Sequence, residues 1–163
     1  MSVRNCGELG LNLQKIITRL LANDELVKLL YYEDKDPLAG AVLTKEQKEN
    51  EVYQQLIKIV PRYVEDETNK SALIVYVQKG SKIPGNSEFV NLQIVIDIFV
   101  PLEQWIIKDV NLRPFAILGQ VQESLEGKTI NGLGRIQGGD FGLTSLTDEM
   151  SVYSQTFSIV EYD

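Results

Sequence analysis

The sequence predicts an α+β fold in which a mostly antiparallel sheet is packed by an N-terminal helix and a central helix. Two observations predict this class: apolar residues recur at helical spacing near the start and again over 111–126, whereas they alternate strictly over 89–100. The length of 163 residues suits a single domain. We expect residues 1–60 to form its helical N-terminal part, with a loop at 33–44, and residues 72–163 to form the sheet and the central helix.

The N-terminal segment predicts either one bent helix or two short helices. Asn23 and Asp24 interrupt an apolar stripe in which residues recur at spacings of three and four. Asp24 can be the N-cap of the second half, and Pro37 and Gly40 then end regular structure in a surface loop. The apolar residues of the stripe are Leu13, Ile16, Ile17, Leu20, Leu21, Leu26, Leu29 and Leu30.

A further helical segment follows the loop. Thr44 is a candidate N-cap with Gln47 three residues further on, which predicts a short helix from Lys45 to about Lys58. A polar connector at 65–70 then leads to the sheet.

Two strands of the sheet are predicted in the middle of the chain. The segment 72–78 is rich in β-branched residues, and Pro84 with Gly85 is a turn signal. The next strand covers 89–100 and ends at Pro101, so we expect the two strands to pair as an antiparallel hairpin. One face of the second strand is wholly aliphatic and is expected to lie against the core: Val90, Leu92, Ile94, Ile96, Ile98 and Val100.

The opposite face of this strand is too apolar for an ordinary solvated surface and too polar for a second core. Phe89 begins this face, and the residues that we assign to a subunit interface follow it: Asn91, Gln93, Val95, Asp97 and Phe99. Surfaces of such mixed character commonly meet another protein. Asp97 has two interpretations. It is a polar residue where alternation predicts solvent. Alternatively it has a functional role, either as an acid with a raised pKa, which makes it the best candidate for a catalytic acid, or as an interfacial partner for Arg or Lys.

A connector and a helix come next. Trp105 lies in the connector and is interpreted either as an anchor for another subunit or as a residue at the edge of the core. Asn111 is a candidate N-cap for a helix over 111–126, and Gly127 supplies its stop. The expected buried face of that helix comprises Phe115, Leu118, Val121, Gln122 and Leu125.

The segment 131–142 is rich in glycine. Its spacing does not match GxGxxG, and it lacks the lysine and serine of a phosphate-binding loop. We therefore interpret it as a bent hairpin or a bulged strand edge that can pair with a neighbour. Together with Trp105, we assign to the subunit interface Gly132, Gly134, Arg135, Gly138 and Gly139. A closing strand is expected over 150–161, with Tyr153, Phe157 and Ile159 on one face and Val152 and Val160 on the other.

The charge is acidic and unevenly distributed. The chain has a net charge of −7 and no dense run of Lys and Arg, so we expect no sequence-specific binding of DNA or RNA. After Arg135 no basic residue follows, whereas five acids do: Asp140, Asp148, Glu149, Glu161 and Asp163. This acidic end is interpreted either as a solvated hairpin or as a surface that repels polyanions or docks on a basic partner.

Several classes of chemistry are disfavoured. Histidine is absent and Cys6 is the single cysteine, which excludes Ser–His and Cys–His nucleophilic sites, thiolate clusters and an intrachain disulfide. Carboxylate pairs remain possible, but no spacing singles one out. We expect no enzymatic activity, no cofactor and no metal. The first residues lack a signal-peptide stretch and no apolar run is long enough to span a bilayer, so we expect no membrane association.

Four segments carry a resemblance to a known family. They are Leu29-Leu-Tyr-Tyr-Glu-Asp-Lys-Asp-Pro-Leu38 at the end of the leading helix, the alternating strand with its Trp105 connector, Asn111-Leu-Arg-Pro-Phe-Ala-Ile-Leu118 with Leu125-Glu-Gly127 around the central helix, and the terminal Phe157-Ser-Ile-Val-Glu-Tyr-Asp163. In this order and texture they resemble the tail terminator and neck-completion proteins of tailed bacteriophages. The resemblance spans most of the chain.

This resemblance implies an α+β protein that assembles as a homo-oligomeric, six-fold ring between the tail tube and the head connector, with no catalytic residues. DNA would pass through the ring without specific binding, which an acidic lumen suits. Our first hypothesis is a non-enzymatic virion structural protein, a tail terminator or neck ring subunit of the virion that is assembled in the host cytoplasm. The alternatives are a head-completion adaptor, a baseplate component, or a small cytoplasmic binding or inhibitor module that uses the acidic C-terminal hairpin.

Overall fold

The computed structural model, which describes residues 6–59, 70–83 and 86–160, shows helices packed against a curled, mostly antiparallel sheet. The helices are α1 (Leu9–Leu21), α2 (Asp24–Tyr31), α3 (Lys45–Gln47) and α4 (Arg113–Leu125), and α3 continues as a π-helix over Lys48–Val52. Short 3₁₀ turns lie at Cys6–Glu8, Pro37–Ala39, Leu102–Gln104 and Lys108–Val110. The α+β class is as predicted.

Six strands form the main sheet. They are β1 (Ile57–Lys58), β2 (Ala72–Ile83), β3 (Asn86–Pro101), β6 (Thr129–Ile130), β7 (Gly134–Leu146) and β8 (Met150–Val160), whereas β4 (Ile106–Ile107) and β5 (Asn111–Leu112) form a small separate pair. Their order across the sheet is β1-β2-β3-β8-β7-β6. Of the described pairs, β1 with β2 is parallel and the others are antiparallel.

Two short helices form the N-terminal part, but the N-cap of the second is Asn23 rather than Asp24. Asn23 Oδ1 accepts a hydrogen bond from Leu26 N–H at 3.0 Å. Its Nδ2 donates to Ser124 Oγ of α4 at 2.9 Å. Asp24 is instead the first residue of α2, where its charge interacts favourably with the positive end of the helix dipole. Asn23 therefore both begins α2 and ties it to α4.

The helix predicted from Lys45 to about Lys58 is shorter. Its expected N-terminal capping box is present: Gln47 N–H donates to Thr44 Oγ1 at 3.1 Å, and Thr44 N–H donates to Gln47 Oε1 at 2.9 Å. The helical segment nevertheless ends at Val52. Local capping fixes where this helix begins, while tertiary contacts decide where it ends.

The chain leaves this helix because its next apolar residues join the sheet. Gln54 has a positive φ of 62°, a conformation that interrupts a right-handed helix. Ile57 is fully buried and pairs with Leu73 of β2. Leu73 N–H donates to Leu56 O at 2.7 Å. Residues with the spacing of a helix therefore form a short edge strand.

β2 and β3 pair antiparallel, as the sequence predicts, although β2 extends beyond the predicted strand. A register shift between Val77 and Lys79 marks a bulge at which the strand continues. The predicted turn at Pro84 and Gly85 lies outside the described residues, as does all but the last residue of the connector predicted at 65–70.

The aliphatic face of β3 lies in the core, as predicted. Val90 belongs to this face and Phe89 to the opposite one, and the side chains of both lie outside the described part of the chain. The other residues of that face are all buried in one cluster with residues of α1, α2 and α4: Leu92, Ile94, Ile96, Ile98 and Val100. This burial of branched aliphatic side chains stabilises the packing of helices on the sheet.

The central helix buries three of the five residues predicted for its core-facing side, Leu118, Val121 and Leu125, but not the other two. Asn111 lies in β5 and its side chain accepts from Leu112 N–H, so Leu112 occupies the N-cap position without a side-chain cap. Phe115 is 43% exposed and Gln122 is half-buried. The buried residues are Arg113, Pro114, Ile117, Leu118, Val121, Ser124 and Leu125. Gly127 has a φ of +70° and stops the helix as predicted.

Arg113 is the largest fully buried side chain among the described residues, and its burial was not predicted from the sequence. Its guanidinium donates to the backbone carbonyls of Leu29, Tyr32, Asp34 and Gln104. Burial lowers the pKa of Arg113, while the charges of Asp34 and Glu33 raise it. The side chain thus closes the C-terminal end of α2, whose last carbonyls have no partner within the helix.

Candidate subunit interface

The predicted interface residues of β3 lie together on one face of the sheet, which we call the outer face. Asp97 pairs with Ile74 of β2 and with Ser154 of β8, and side chains of directly paired residues point to the same side. Asn91 is exposed, whereas Gln93 and Phe99 are half-buried. The outer face therefore includes the alternate residues of β2 and β8 as well as those of β3.

A chain of hydrogen bonds crosses the outer face at Asp97. Ser154 Oγ donates to Asp97 Oδ1 at 2.5 Å. The hydroxyls of Ser154 and Thr144 lie 2.9 Å apart and share a hydrogen bond. Thr144 Oγ1 also lies 3.2 Å from Val152 O, to which it can donate. Three of the four long strands, β3, β7 and β8, are joined by this network.

Tyr76 connects the fourth long strand to the same carboxylate. Burial raises the pKa of Tyr76, and the charge of Asp97 and a hydrogen bond to it raise that pKa further. The phenol therefore stays protonated well into the alkaline range, which suits a donor to a carboxylate. Asp97 thus accepts from both neighbouring strands.

The outer face is curled into a groove of about 450 Å³ around this network. All of its lining residues come from β2, β3, β7 and β8: Tyr76, Gln78, Val95, Asp97, Asp140, Phe141, Gly142, Thr144, Ser154 and Thr156. No Lys or Arg is among them, and two are acids. The groove is therefore a hydroxyl-rich, acidic surface.

The floor of the outer face is nevertheless partly dry. Val95 is 3% exposed and Ile74 is 4% exposed, although both point away from the aliphatic core. Val152, at 9%, lies beside them on β8. The mixed character predicted from the sequence of β3 thus extends over three strands.

Trp105 does not lie on the outer face. Its Nε1 donates to Ser151 Oγ at 2.9 Å, and its ring lies 6.3 Å from the ring of Tyr153. Phe115 of α4 also packs against Tyr153, with 5.2 Å between ring centroids. Ser151 and Tyr153 occupy the core-facing positions of β8. Trp105 is half-buried at the edge of the core, which is one of its two interpretations from the sequence.

The glycine-rich segment has two different structural roles. Gly132 and Gly134 have φ values of +87° and +118° in the tight turn between β6 and β7, a conformation that favours glycine. A Cβ on Gly132 would lie 2.8 Å from both Asn12 Oδ1 and Lys15 Nζ. Arg135 follows this turn and is exposed.

Gly138 and Gly139 lie inside β7. The register of β7 against β8 shifts between Gly138 and Phe141, so the interpretation as a bulged strand is confirmed. The side chain of Glu126 occupies the space next to Gly138, and Thr156 Oγ1 lies 2.6 Å from the position of a Cβ on Gly139. These glycines allow other parts of the same chain to approach closely.

Four members of the outer face were not predicted from the sequence: Tyr76, Thr144, Ser154 and Thr156. The sequence could have predicted that Ser154 and Thr156 face away from the core, because Ser154, Thr156 and Ser158 alternate with the core residues of β8. Pairing these residues with Asp97 requires the strand order, in which β8 lies between β3 and β7. Strand order is a property of the tertiary structure.

The described residues contain no group of three or more His, Cys, Asp or Glu side chains placed to hold a metal ion. Over the same ranges, no helix combines the length and apolar character needed to cross a bilayer.

Comparison with known proteins identifies the family of this chain. No curated protein matches its sequence. A family model, YomW, matches residues 23–159, which extend from the N-cap of α2 almost to the end of β8 and include the whole outer face. The chain therefore belongs to the YomW family, a phage-derived family of the SPbeta-like prophage type.

Proposed function

We propose that this protein is a non-enzymatic structural subunit of the phage particle. In this proposal several copies, six in the simplest case, form a ring in the neck or at the end of the tail, as a tail terminator or neck protein does. The ring is assembled in the host cytoplasm and contacts tail-tube and head-connector proteins. Membership of a phage-derived family and the α+β fold support this assignment.

The outer face is the single observation that carries the proposal. Its groove is lined by strands alone, and it combines buried apolar residues with an ordered row of hydroxyls and a carboxylate. Protein interfaces have this combination of a dry centre and hydrogen-bonding groups. We infer that the outer face contacts a neighbouring subunit or the structure on which the ring sits.

Where the outer face is not covered by a neighbouring subunit, its acidic groove suits the lumen of the ring, through which DNA would pass. Asp97 and Asp140 line the groove without a basic partner among the lining residues, and negative potential repels a polyanion. A surface of this sign lets DNA pass without binding it.

Asp97 is the one acid that interrupts the otherwise apolar strand β3, which makes it the acid to consider first for a catalytic role. Its carboxylate accepts hydrogen bonds from Ser154 and Tyr76, and both donors come from neighbouring strands. We propose that Asp97 holds the strands of the outer face together and has no catalytic role.

Electron microscopy tests the proposed function. The purified protein is imaged alone and after mixing with isolated tails that lack it, because ring closure can require the tube as a template. We expect rings in at least one of the two samples, at the tail end in the second. A protein that neither forms rings nor joins tails would overturn the proposal.

A second candidate function is a small binding or inhibitor module. The turn between β7 and β8 presents Asp148 and Glu149, both exposed, and such a hairpin can dock on a basic protein. A tagged protein that captures one host enzyme from infected cells, and is absent from purified particles, would favour this candidate over the ring.

A further inference from the structure

Two leucines of β7 lie on the side of the sheet that carries the helices, opposite to the outer face. Leu143 pairs with Tyr153 and Leu146 pairs with Ser151, and both partners occupy core-facing positions of β8. Directly paired residues point to the same side. The register shift between Leu143 and Ser145 explains why two residues three positions apart share one face.

The helices cover this part of the sheet incompletely. α4 packs over β8, where Phe115 contacts Tyr153, and it leaves the neighbouring end of β7 in solvent. Leu143 is 49% exposed, Leu146 is 60% exposed and Phe115 is 43% exposed. Apolar side chains that are exposed together commonly mark an interaction site. We call the connected set the inner surface: Trp105, Phe115, Leu143, Leu146 and Tyr153.

The rim of the inner surface is acidic. Asp148 and Glu149 are exposed in the turn after β7, and Glu103 is exposed in the turn before Trp105. Leu102 N–H donates to Glu149 O at 2.9 Å, so these acids lie at the same end of the sheet. A partner for this surface therefore needs apolar side chains together with basic groups. The segments that build the surface contain no Lys or Arg: 99–107, 114–127 and 136–160.

α1 presents the complementary combination. Leu11, Lys15 and Arg19 recur at spacings of four, so they lie on one face of the helix. All three are exposed, with Leu11 at 71%, and α1 contains no acid. We call these three residues the α1 stripe. A large apolar side chain beside two cations matches an apolar surface with an acidic rim.

The α1 stripe cannot cover the inner surface of its own copy. Lys15 Nζ donates to Asn131 O at 2.8 Å, close to the start of β7, whereas Leu143 lies near the end of that strand. A strand that runs from Gly134 to Leu143 spans about 30 Å. The stripe and the inner surface therefore lie at opposite ends of the sheet, and only a different molecule can bring such a pair into contact.

We propose that the α1 stripe of one copy docks on the inner surface of the next copy, so that copies join head to tail. Leu11 contacts the exposed leucines of β7, and Lys15 and Arg19 lie opposite the acidic rim. This inference rests on the proposed ring and specifies one contact between its subunits. A contact between two different surfaces closes into a ring when the rotation allows it.

Disulfide trapping tests the contact directly. Leu11→Cys and Leu146→Cys are made as separate proteins in a Cys6→Ser background, which removes the one native cysteine. Mild oxidation of rings assembled from an equimolar mixture, alone or on isolated tails, should give a covalent dimer that contains one copy of each. A protein that carries both substitutions should give a ladder of covalent oligomers. Leu38→Cys, at an exposed leucine outside α1, replaces Leu11→Cys in the control and should give no such dimer.

Charge exchange gives an independent measurement. Arg19→Glu and Glu149→Arg each place like charges at the contact, so we expect each to lower assembly about tenfold, measured by sedimentation or on isolated tails. An equimolar mixture of the two restores opposite charges at every contact between alternating copies and should recover assembly. Lys45→Glu, on the exposed surface of α3, is the matched control and should assemble like the wild type. Circular dichroism confirms that each variant is folded.

The outcomes separate the contact from the ring. Rings that form normally in both charge variants, a folded mixture that does not recover, or rings without the mixed disulfide would overturn the α1 contact but leave the proposed function intact. If Leu146→Ser blocks attachment to tails while Leu11→Ser has no effect, a tail protein covers the inner surface and the α1 contact is wrong. The mixed disulfide in open filaments, with no ring alone or on tails, would support the contact and overturn the ring.

Discussion

Asp97 and Ser154 are joined by a hydrogen bond of 2.5 Å across the central strand pair of the sheet, on the face that points away from the core. The serine hydroxyl donates and the carboxylate accepts. Ser154 in turn shares a hydrogen bond with Thr144 of β7, so this one contact connects strands that are distant in sequence. It makes Asp97 the centre of the outer face.

Replacing Asp97 by alanine should therefore destabilise the fold. The donors on Ser154 and Tyr76 would lose their acceptor, and we expect the free energy of unfolding to fall by about 1–2 kcal/mol. Urea denaturation followed by circular dichroism measures this change. Asn91→Ala, at an exposed position of the same strand, should change it by less than about 0.5 kcal/mol. A double-mutant cycle of Asp97→Ala and Ser154→Ala should show coupling, and strictly additive effects would contradict the contact.

Tyr76→Phe should reduce the loss of stability at alkaline pH. In the folded protein the pKa of Tyr76 is raised by burial and by Asp97, so above about pH 10 the unfolded chain loses this proton first. Stability from this group is complete below pH 10 and is lost as the pH rises toward the folded pKa. The difference in stability between wild type and Tyr76→Phe should therefore shrink between pH 9 and pH 11. A constant difference over that range would contradict the raised pKa.

Arg113→Met should be among the most destabilising single substitutions in this chain. It leaves the carbonyls of Leu29, Tyr32, Asp34 and Gln104 without their donor in a buried position, at a cost of about 3 kcal/mol or more. Arg113→Lys should recover part of this loss, because an ammonium donates but cannot reproduce the planar fork. Arg19→Met on the exposed side of α1 is the control. Equal midpoints of urea denaturation for Arg113→Met and Arg19→Met would contradict this role of the Arg113 hydrogen bonds.

Alanine substitutions at Gly132 and Gly119 should change the free energy of unfolding in opposite directions. Gly132 has positive φ, and a Cβ there would contact Asn12 and Lys15, so Gly132→Ala should lower the free energy of unfolding by about 1–2 kcal/mol. Gly119 is exposed in α4 with no atom within 4 Å of an added Cβ, so Gly119→Ala should raise it by about 0.5–1 kcal/mol. Thermal denaturation of both variants checks the pair. A stabilising Gly132→Ala would show that the turn tolerates an ordinary residue.

Much of the local structure follows from the sequence. The strict alternation over 89–100 predicted β3 and its buried face, the Thr44 capping box predicted the start of α3, and Gly127 predicted the end of α4. Each of these signals acts between residues within a few positions of one another. These signals depend on spacing and residue type alone, so they can be interpreted without knowledge of any distant contact.

The errors arose where a distant contact competes with a local preference. Asn23 and Asp24 are both suitable N-cap residues for α2. The N-cap in the structure is Asn23, whose side chain also donates a hydrogen bond to Ser124 of α4. The residues around Ile57 have helical spacing but are drawn into the sheet beside Leu73. For Trp105 the sequence left two interpretations open, and its hydrogen bond to Ser151 accompanies a position at the edge of the core.

The sequence by itself determined the α+β class, the aliphatic face of β3 that lies in the core, and the acidic end of the chain. Periodicity and charge are properties of neighbouring residues. Only the tertiary structure decided that β8 lies between β3 and β7, and hence that Ser154 meets Asp97. Strand order depends on which distant segments bury the most apolar surface together, a sum over the whole chain that no local pattern contains.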